Sequence, residues 1–194
     1  MHVLAVLAHP GPKSFNAQVL AEALADLREG GHEVRVIDLY AEGFESRLSE
    51  PEWRTNADVP ENRKPVEAMV QDLEWAEALV FVFPTWWAGM PAILKGWLDR
   101  VFLPGVAFEL TDHGPVWGKL TRIRLWVTIT TAGASPLQTL ALLDPVRVHM
   151  RAMRIAVARQ ARPVLLRLYR MDSVTAEERS AFLKRVRERM RTLA

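Results

Sequence analysis

Three short stretches of the chain carry residue types that can hold a ligand. The first is His9-Pro-Gly-Pro-Lys-Ser-Phe-Asn16, which lies between an apolar run and a helical pattern. A helix N-terminus offers free backbone N–H groups and the positive end of a dipole, and so suits a phosphate. Ser14 and Asn16 can add side-chain hydrogen bonds, while Lys13 and His9 can add positive charge. Ser14 can equally do no more than cap the helix, and on this loop alone the two readings stand even. The spacing matches neither a dinucleotide GxGxxG fingerprint nor a Walker loop. The second stretch, Pro84-Thr-Trp-Trp-Ala-Gly-Met-Pro91, places Trp86 beside Trp87 where loops of this kind are usually short and polar. Such aromatics can wall a flat ring and exclude water from it, or else pack into the core or a dimer seam. At least one of the pair is expected to touch a ligand. The third stretch, Thr130-Thr-Ala-Gly-Ala-Ser135, can present backbone N–H groups to a ring, but is weak by itself.

The elements around these loops alternate. Val3–Ala8 is a continuous apolar run, as in a strand buried on both faces. Ala17, Leu20, Ala23, Leu24 and Leu27 recur at helical spacing until Gly30-Gly31 stops them. Glu33–Leu39 is predicted as the second strand, and Tyr40–Pro65 as a polar excursion over the surface. Helix Val66–Ala78 and strand Leu79–Phe83, ended by Pro84, come next. Helix Pro91–Phe102 then carries Ile93, Leu94, Trp97, Leu98 and Val101 on one face, with Gly96 admitting a close neighbour. Pro104–Lys119 is turn-rich, Ile123–Thr130 a fourth strand, Leu137–Ala161 mostly helix and Val164–Tyr169 a fifth strand. Thr175–Leu193 closes the chain as a helix, with a capping signal at Ser173–Glu178. The expected fold is therefore α/β, a doubly wound parallel sheet of five strands with helices on both faces, in one domain over 1–194. Ligands in such sheets sit at the carboxyl ends of the strands, where all three loops fall.

Composition narrows the chemistry. The 194 residues are 49% hydrophobic and 25% charged, which excludes disorder as the main state. No apolar run reaches the roughly 20 residues of a membrane span, and no basic region precedes Val3–Ala8 as a secretory signal requires. With no cysteine at all, disulfides, thiolate catalysis and cysteine-held metal centres are excluded. No metal site is expected, and a reducing, cytoplasmic location fits. The net charge of +2 hides an asymmetry: 12 basic against 19 acidic residues up to Val146, then 13 against 4 from Arg147 onward. The basic residues of Glu177–Arg191 are interleaved with Phe182, Leu183, Val186 and Met190 at helical spacing. They read as the solvated face of a packed helix rather than a nucleic-acid surface.

Lined up in order, the pieces resemble the NAD(P)H:quinone oxidoreductase family of flavodoxin-like flavoproteins. They are Ala8-His9-Pro10 with Ser14-Phe15-Asn16, Asp38-Leu39-Tyr40, Trp75-Ala76-Glu77, the long run Val80–Phe102 continuing to Gly105-Val-Ala-Phe108, and Thr130-Thr-Ala-Gly133. The resemblance covers about the first two-thirds of the chain and fades after Ser135. It implies that His9, Lys13, Ser14, Phe15 and Asn16 hold a flavin phosphate. Pro84, Thr85, Trp86 and Trp87 would lie along the ring, Thr130, Thr131, Ala132 and Gly133 would meet its pyrimidine end, and Phe108 would line the substrate pocket. It implies FAD, with FMN as the alternative, NAD(P)H as co-substrate, a quinone-like acceptor and a homodimer with helix Pro91–Phe102 near its interface. Two relatives in function remain beside it: a flavodoxin-type electron carrier, and a regulatory subunit of a membrane transporter that touches the membrane peripherally through the basic half. The Tyr and His that follow the third loop in animal members have no counterpart between Gly133 and Leu143. His149, in a helical segment, is as a rule structural, so no catalytic side chain is assigned.

Overall fold

A computed structural model describes residues 1–111 and 117–192. Five parallel strands form one sheet in the order β2-β1-β3-β6-β7: β1 is His2–Leu7, β2 Glu33–Asp38, β3 Ala78–Thr85, β6 Leu125–Ala132 and β7 Arg162–Leu168. A two-stranded ribbon, β4 Phe108–Glu109 and β5 Trp117–Gly118, stands apart from it. The helices are α1 Phe15–Glu29, α2 Glu50–Arg54, α3 Glu67–Trp75, α4 Ala92–Val101, α5 Pro136–Ala141, α6 Pro145–Val157 and α7 Ala176–Arg191. The doubly wound sheet expected from the alternation is the one observed.

Why these strands read as unbroken apolar runs is visible in β3. Leu79, Phe81 and Phe83 enter the core beneath α3, α4 and α6, while Ala78, Val80 and Val82 enter the core beneath α1 and α7. A strand covered on both faces has no solvent side to make polar. The first core holds Trp97, Trp126, Phe81 and Phe102 in edge-on and tilted ring pairs 5.1–6.2 Å apart. Gly96 lies where the chain at Ser46 crosses α4: an added Cβ would stand 2.1 Å from the Ser46 carbonyl oxygen.

Most expected boundaries shift by one to three residues, as where the helix expected over 66–78 ends at Trp75 and β3 begins at Ala78, and four departures stand out. β3 runs on through Pro84 and Thr85, because at the sheet's carboxyl end they still pair in register with Thr131 and Ala132. The excursion 40–65 contains α2, begun by a reciprocal cap between Ser49 and Glu52, and a 3-10 turn over Glu61–Val66. The long helical segment 137–161 is two helices. Leu143 and Asp144 take left-handed backbone angles, Pro145 follows at the first helical position, and Asp144 caps α6. The closing helix ends at Arg191, and Leu193 lies outside the described residues, as do residues 112–116 of the turn-rich stretch. Among the described residues, no helix is long and apolar enough to cross a membrane.

Candidate functional site

β1 connects to β2 on one side and pairs with β3 on the other, so the crossovers diverge at its carboxyl end and leave a crevice there. A cleft of about 560 Å³ occupies this position. It is lined from the first loop by His9, Phe15 and Asn16, from the second by Pro84 to Trp87, and from the third by Thr131 and Gly133. Met171 and Asp172 complete it.

At one end stands the first turn of α1. The Ser14 hydroxyl accepts from the Ala17 N–H at 3.2 Å, so its side chain is taken up in capping. The N–H groups of Phe15 and Asn16, at the first two helical positions, have no intrahelical partner. Asn16 is buried. Its Nδ2 donates to Thr131 Oγ1 at 3.1 Å, tying α1 to β6, while its Oδ1 is buried without a partner. His9 Nδ1 accepts the Gly11 N–H at 2.9 Å, and burial lowers the pKa of the ring. The imidazole is thus neutral near pH 7, with the proton on Nε2, and acts as a hydrogen-bond donor rather than a charge. Lys13 is exposed and stands outside the cleft lining.

The aromatic wall is raised on a tight turn. Trp86 N–H donates to Gly89 O at 3.0 Å and Gly89 N–H to Trp86 O at 2.9 Å, with Trp87 and Ala88 between them at φ 49° and 61°. Positive φ at both central residues is the geometry of a two-residue type I′ turn, which ordinarily favours Asn and Gly. Here it holds Trp87 fully exposed and Trp86 half-exposed beside His9, their ring centroids 6.4 Å apart. Such left-handed strain at non-glycine residues collects at ligand sites.

On the opposite wall, Thr130 is fully buried, and its hydroxyl is 2.9 Å from that of Thr85, so it braces the wall from behind. Ala132 ends β6 without a positive φ and needs no glycine freedom. At Gly133 an added Cβ would approach Asp172 Oδ2 to 2.9 Å, a contact that the carboxylate relieves by turning aside. Phe108 lines neither this cleft nor its neighbour; it packs in the ribbon against the first core. His149 also stays away from the cleft, facing Lys95 and Asp99 of α4. Its pKa is lowered, first by burial and then by the Lys95 charge.

Met171 and Asp172 were not singled out from the sequence. Their signal was positional: they follow the fifth strand at the same edge, and backbone bonds from Arg170 N to Ala134 O and Met171 N to Ala132 O pin them there. A second chamber, about 220 Å³, shares Thr85, Trp87 and Gly133 with the cleft and is closed by Ala132, Thr139, Leu142, Val146 and Arg167, among others.

With this geometry in place, the likenesses to known proteins are specific. A family model described as flavodoxin-like fold matches residues 1–190. A ribosyldihydronicotinamide dehydrogenase-like protein of Penicillium crustosum is 33% identical over 155 residues, 69% of this chain and 58% of that protein. The ribosyldihydronicotinamide dehydrogenase [quinone] of Rattus norvegicus is 35% identical over 159 residues, 72% of this chain and 67% of that one. The matched part therefore spans about three-fifths to two-thirds of these relatives' lengths. Among solved structures, an NAD(P)H:quinone oxidoreductase from Methanothermobacter marburgensis is 29% identical with a TM-score of 0.85, over 100% of this chain and 99% of that one.

Proposed function

Because the chain belongs to the flavodoxin-like fold family, and within it to the NAD(P)H:quinone oxidoreductases, we propose that it is a flavin-dependent NAD(P)H oxidoreductase acting on quinones or related acceptors. The observation that carries this reading is the convergence in one cleft of free helix N–H groups, the unpartnered Asn16 Oδ1 and the Trp86–Trp87 wall. The residues fit a flavin: the Phe15 and Asn16 N–H groups would take its phosphate, with His9 Nε2 as a neutral donor beside them. Thr85, Trp86 and Trp87 would flank its ring on one side, and Thr131 and Gly133 on the other. A bound flavin would supply two-electron chemistry, with NAD(P)H and the acceptor using it in turn. The protein's part is to orient the ring, exclude water with the two indoles and leave one face open.

FAD is the cofactor implied by the long second motif. FMN is the second reading, favoured by the cleft lining itself, which holds one helix N-terminus and neither Lys nor Arg. A homodimer is supported by the exposed large apolar residues Leu137 and Leu140 of α5, Leu142 and Leu143 after it and Val148 of α6, which a second copy of the chain could cover.

The test is purification followed by an absorption spectrum, mass identification of the released cofactor, light scattering and NAD(P)H oxidation with menadione. The expected result is a yellow dimer that turns over. A colourless protein that neither FAD nor FMN reconstitutes would overturn the flavin reading, and a flavin that NAD(P)H leaves oxidised would overturn the activity.

A further inference from the structure

The second chamber contains a cation that the fold does not satisfy. Arg167 stands on β7 beside Thr130 of β6, and its side chain is only 3% exposed. Its Nη1 lies 2.8 Å from Asp144 Oδ1 as an ion pair and its guanidinium carbon 5.6 Å from the Tyr169 ring centroid, but Nε and Nη2, like Nη1, are buried without a well-aligned hydrogen bond. Asp144 does not belong to Arg167 alone. It caps α6 by accepting the Arg147 N–H at 3.2 Å, and its Oδ2 accepts from Arg147 Nε at 3.0 Å. Burial by itself would raise the pKa of this carboxyl, yet the hydrogen bonds from Arg167 and Arg147 hold it below the usual value, so it stays charged. Two guanidinium groups thus share one carboxylate. Arg147 is largely exposed and can complete its shell with bulk water, whereas Arg167 is 3% exposed and faces only the chamber. Leaving donors of a buried cation unmet costs more than the net gain of an ordinary hydrogen bond.

Apart from Arg167 and the Asp144 carboxylate, the walls are mostly apolar, with Trp87, Ala132, Leu142 and Val146 among them, and carry the hydroxyls of Thr85 and Thr139. At about 30 Å³ per water, the chamber's volume equals roughly seven waters, the scale of one aromatic ring with a substituent and far below that of a dinucleotide. We propose that this chamber is a binding seat for small aromatic acids, whose carboxylate or sulfonate pairs with Arg167 Nε and Nη2 while the ring packs against Trp87, Leu142 and Val146. A forked guanidinium meets a carboxylate through two parallel bonds, which a neutral ligand of the same shape cannot accept equally. Because Thr85, Trp87 and Gly133 belong to both cavities, an acid seated here lies beside the cleft. Acceptors with an acidic substituent would be preferred over neutral ones. That last consequence rests on the oxidoreductase reading; the seat itself does not.

Two measurements separate these levels. Calorimetric titration of the purified protein with benzoate and with benzamide reads the seat alone, since the two differ in charge and hardly in shape. Benzoate is expected to bind at least tenfold more tightly, and Arg167→Gln is expected to abolish that preference. Equal binding of the two ligands by the unaltered protein, which needs no variant to fold, would overturn the proposal. So would an Arg167→Gln protein that keeps the preference, because benzoate would then sit elsewhere. In the flavin-loaded enzyme, the ratio of KM for 1,4-naphthoquinone-2-sulfonate to KM for menadione is expected to rise about tenfold in Arg167→Gln. If the protein oxidises no NAD(P)H but still selects benzoate through Arg167, the functional reading fails and the seat stands.

Discussion

His9, His32 and His149 share one physical situation at different places in the molecule. Each has its pKa lowered, and in each the largest cause is burial. The N-terminal amine adds to the effect at His32 and Lys95 at His149. In the unfolded chain such rings titrate near 6.5. Between the lowered folded values and about 6.5, the unfolded state therefore binds more protons, and stability rises with pH across that window. The expected outcome is a urea midpoint that is flat above pH 7 and declines progressively below about 6.5. The decline should be shallower in a His9→Asn, His32→Asn, His149→Asn triple variant; equal slopes in the two proteins would contradict it. Carboxylates held low, such as Glu52 and Asp144, should add their own loss only at more acid pH, below the usual carboxylate range. At this same scale the sequence was only partly legible. Asn16 and Trp86 were found because an amide at a helix start and paired indoles in a loop are unusual residue types. Arg167, Met171 and Asp172 were not, because an arginine in a basic region and two ordinary residues after a strand carry no signal until the sheet brings them together.

Helix α4 illustrates how an element's sequence can contradict its propensities for a tertiary reason. Glycine inside a helix costs about 1 kcal/mol relative to alanine, so Gly96→Ala in an isolated helix would stabilise it. In the folded protein the added Cβ would meet the Ser46 carbonyl oxygen at 2.1 Å, a backbone atom that cannot swing aside. The segment before α2 is held there by Arg100 of α4, whose Nη1 donates to the Glu45 carbonyl and whose Nε donates to Glu52 Oε1 of α2 at 2.9 Å. Gly96→Ala is therefore expected to destabilise by about 2 kcal/mol, in the range of overpacked cores. A denaturant melt checks it, and a gain in stability would show that the 46–52 segment is free to move. Periodicity revealed α4 and its buried face correctly, since five apolar residues at helical spacing admit few other readings. It merged α5 with α6, because the apolar pattern continues across Leu143 and Asp144 while the chain reverses there. The break is written in the Asp-Pro pair at 144–145, a capping residue before a proline, rather than in hydrophobicity.

Across the whole chain, the excess of basic residues after Val146 finds much of its explanation in where α7 lies. This helix packs on α1, and its arginines face acidic side chains there: Arg187 Nε is 3.3 Å and Arg191 Nε 2.8 Å from the two oxygens of Asp26, and Arg187 also approaches Glu22 at 3.5 Å. Other cations of this region hold backbone. Arg154 Nη1 donates to the carbonyls of Arg159 and Ala161, and Arg185 Nη2 to that of Arg167. The sequence showed the charge asymmetry plainly but not its destination, because the complementary acids lie some 160 residues earlier. The contact also has a direction. The Asp26 carboxylate is wholly buried, whereas the two arginine side chains remain 43% and 55% exposed. Removing the acid, as in Asp26→Asn, leaves two cations that can turn to water, and the cost is expected near 1 kcal/mol. Removing both cations, as in the Arg187→Gln, Arg191→Gln double variant, strands a buried carboxylate with no counter-charge. That should cost about 2–3 kcal/mol, less than for a fully dry pair because the arginines are partly solvated. Adding Asp26→Asn to the double variant should then recover stability, which urea melts of the three proteins would register. If all three were equally stable, α7 would be held to α1 by Phe182, Val186 and Met190 alone, and the charge asymmetry would need another cause.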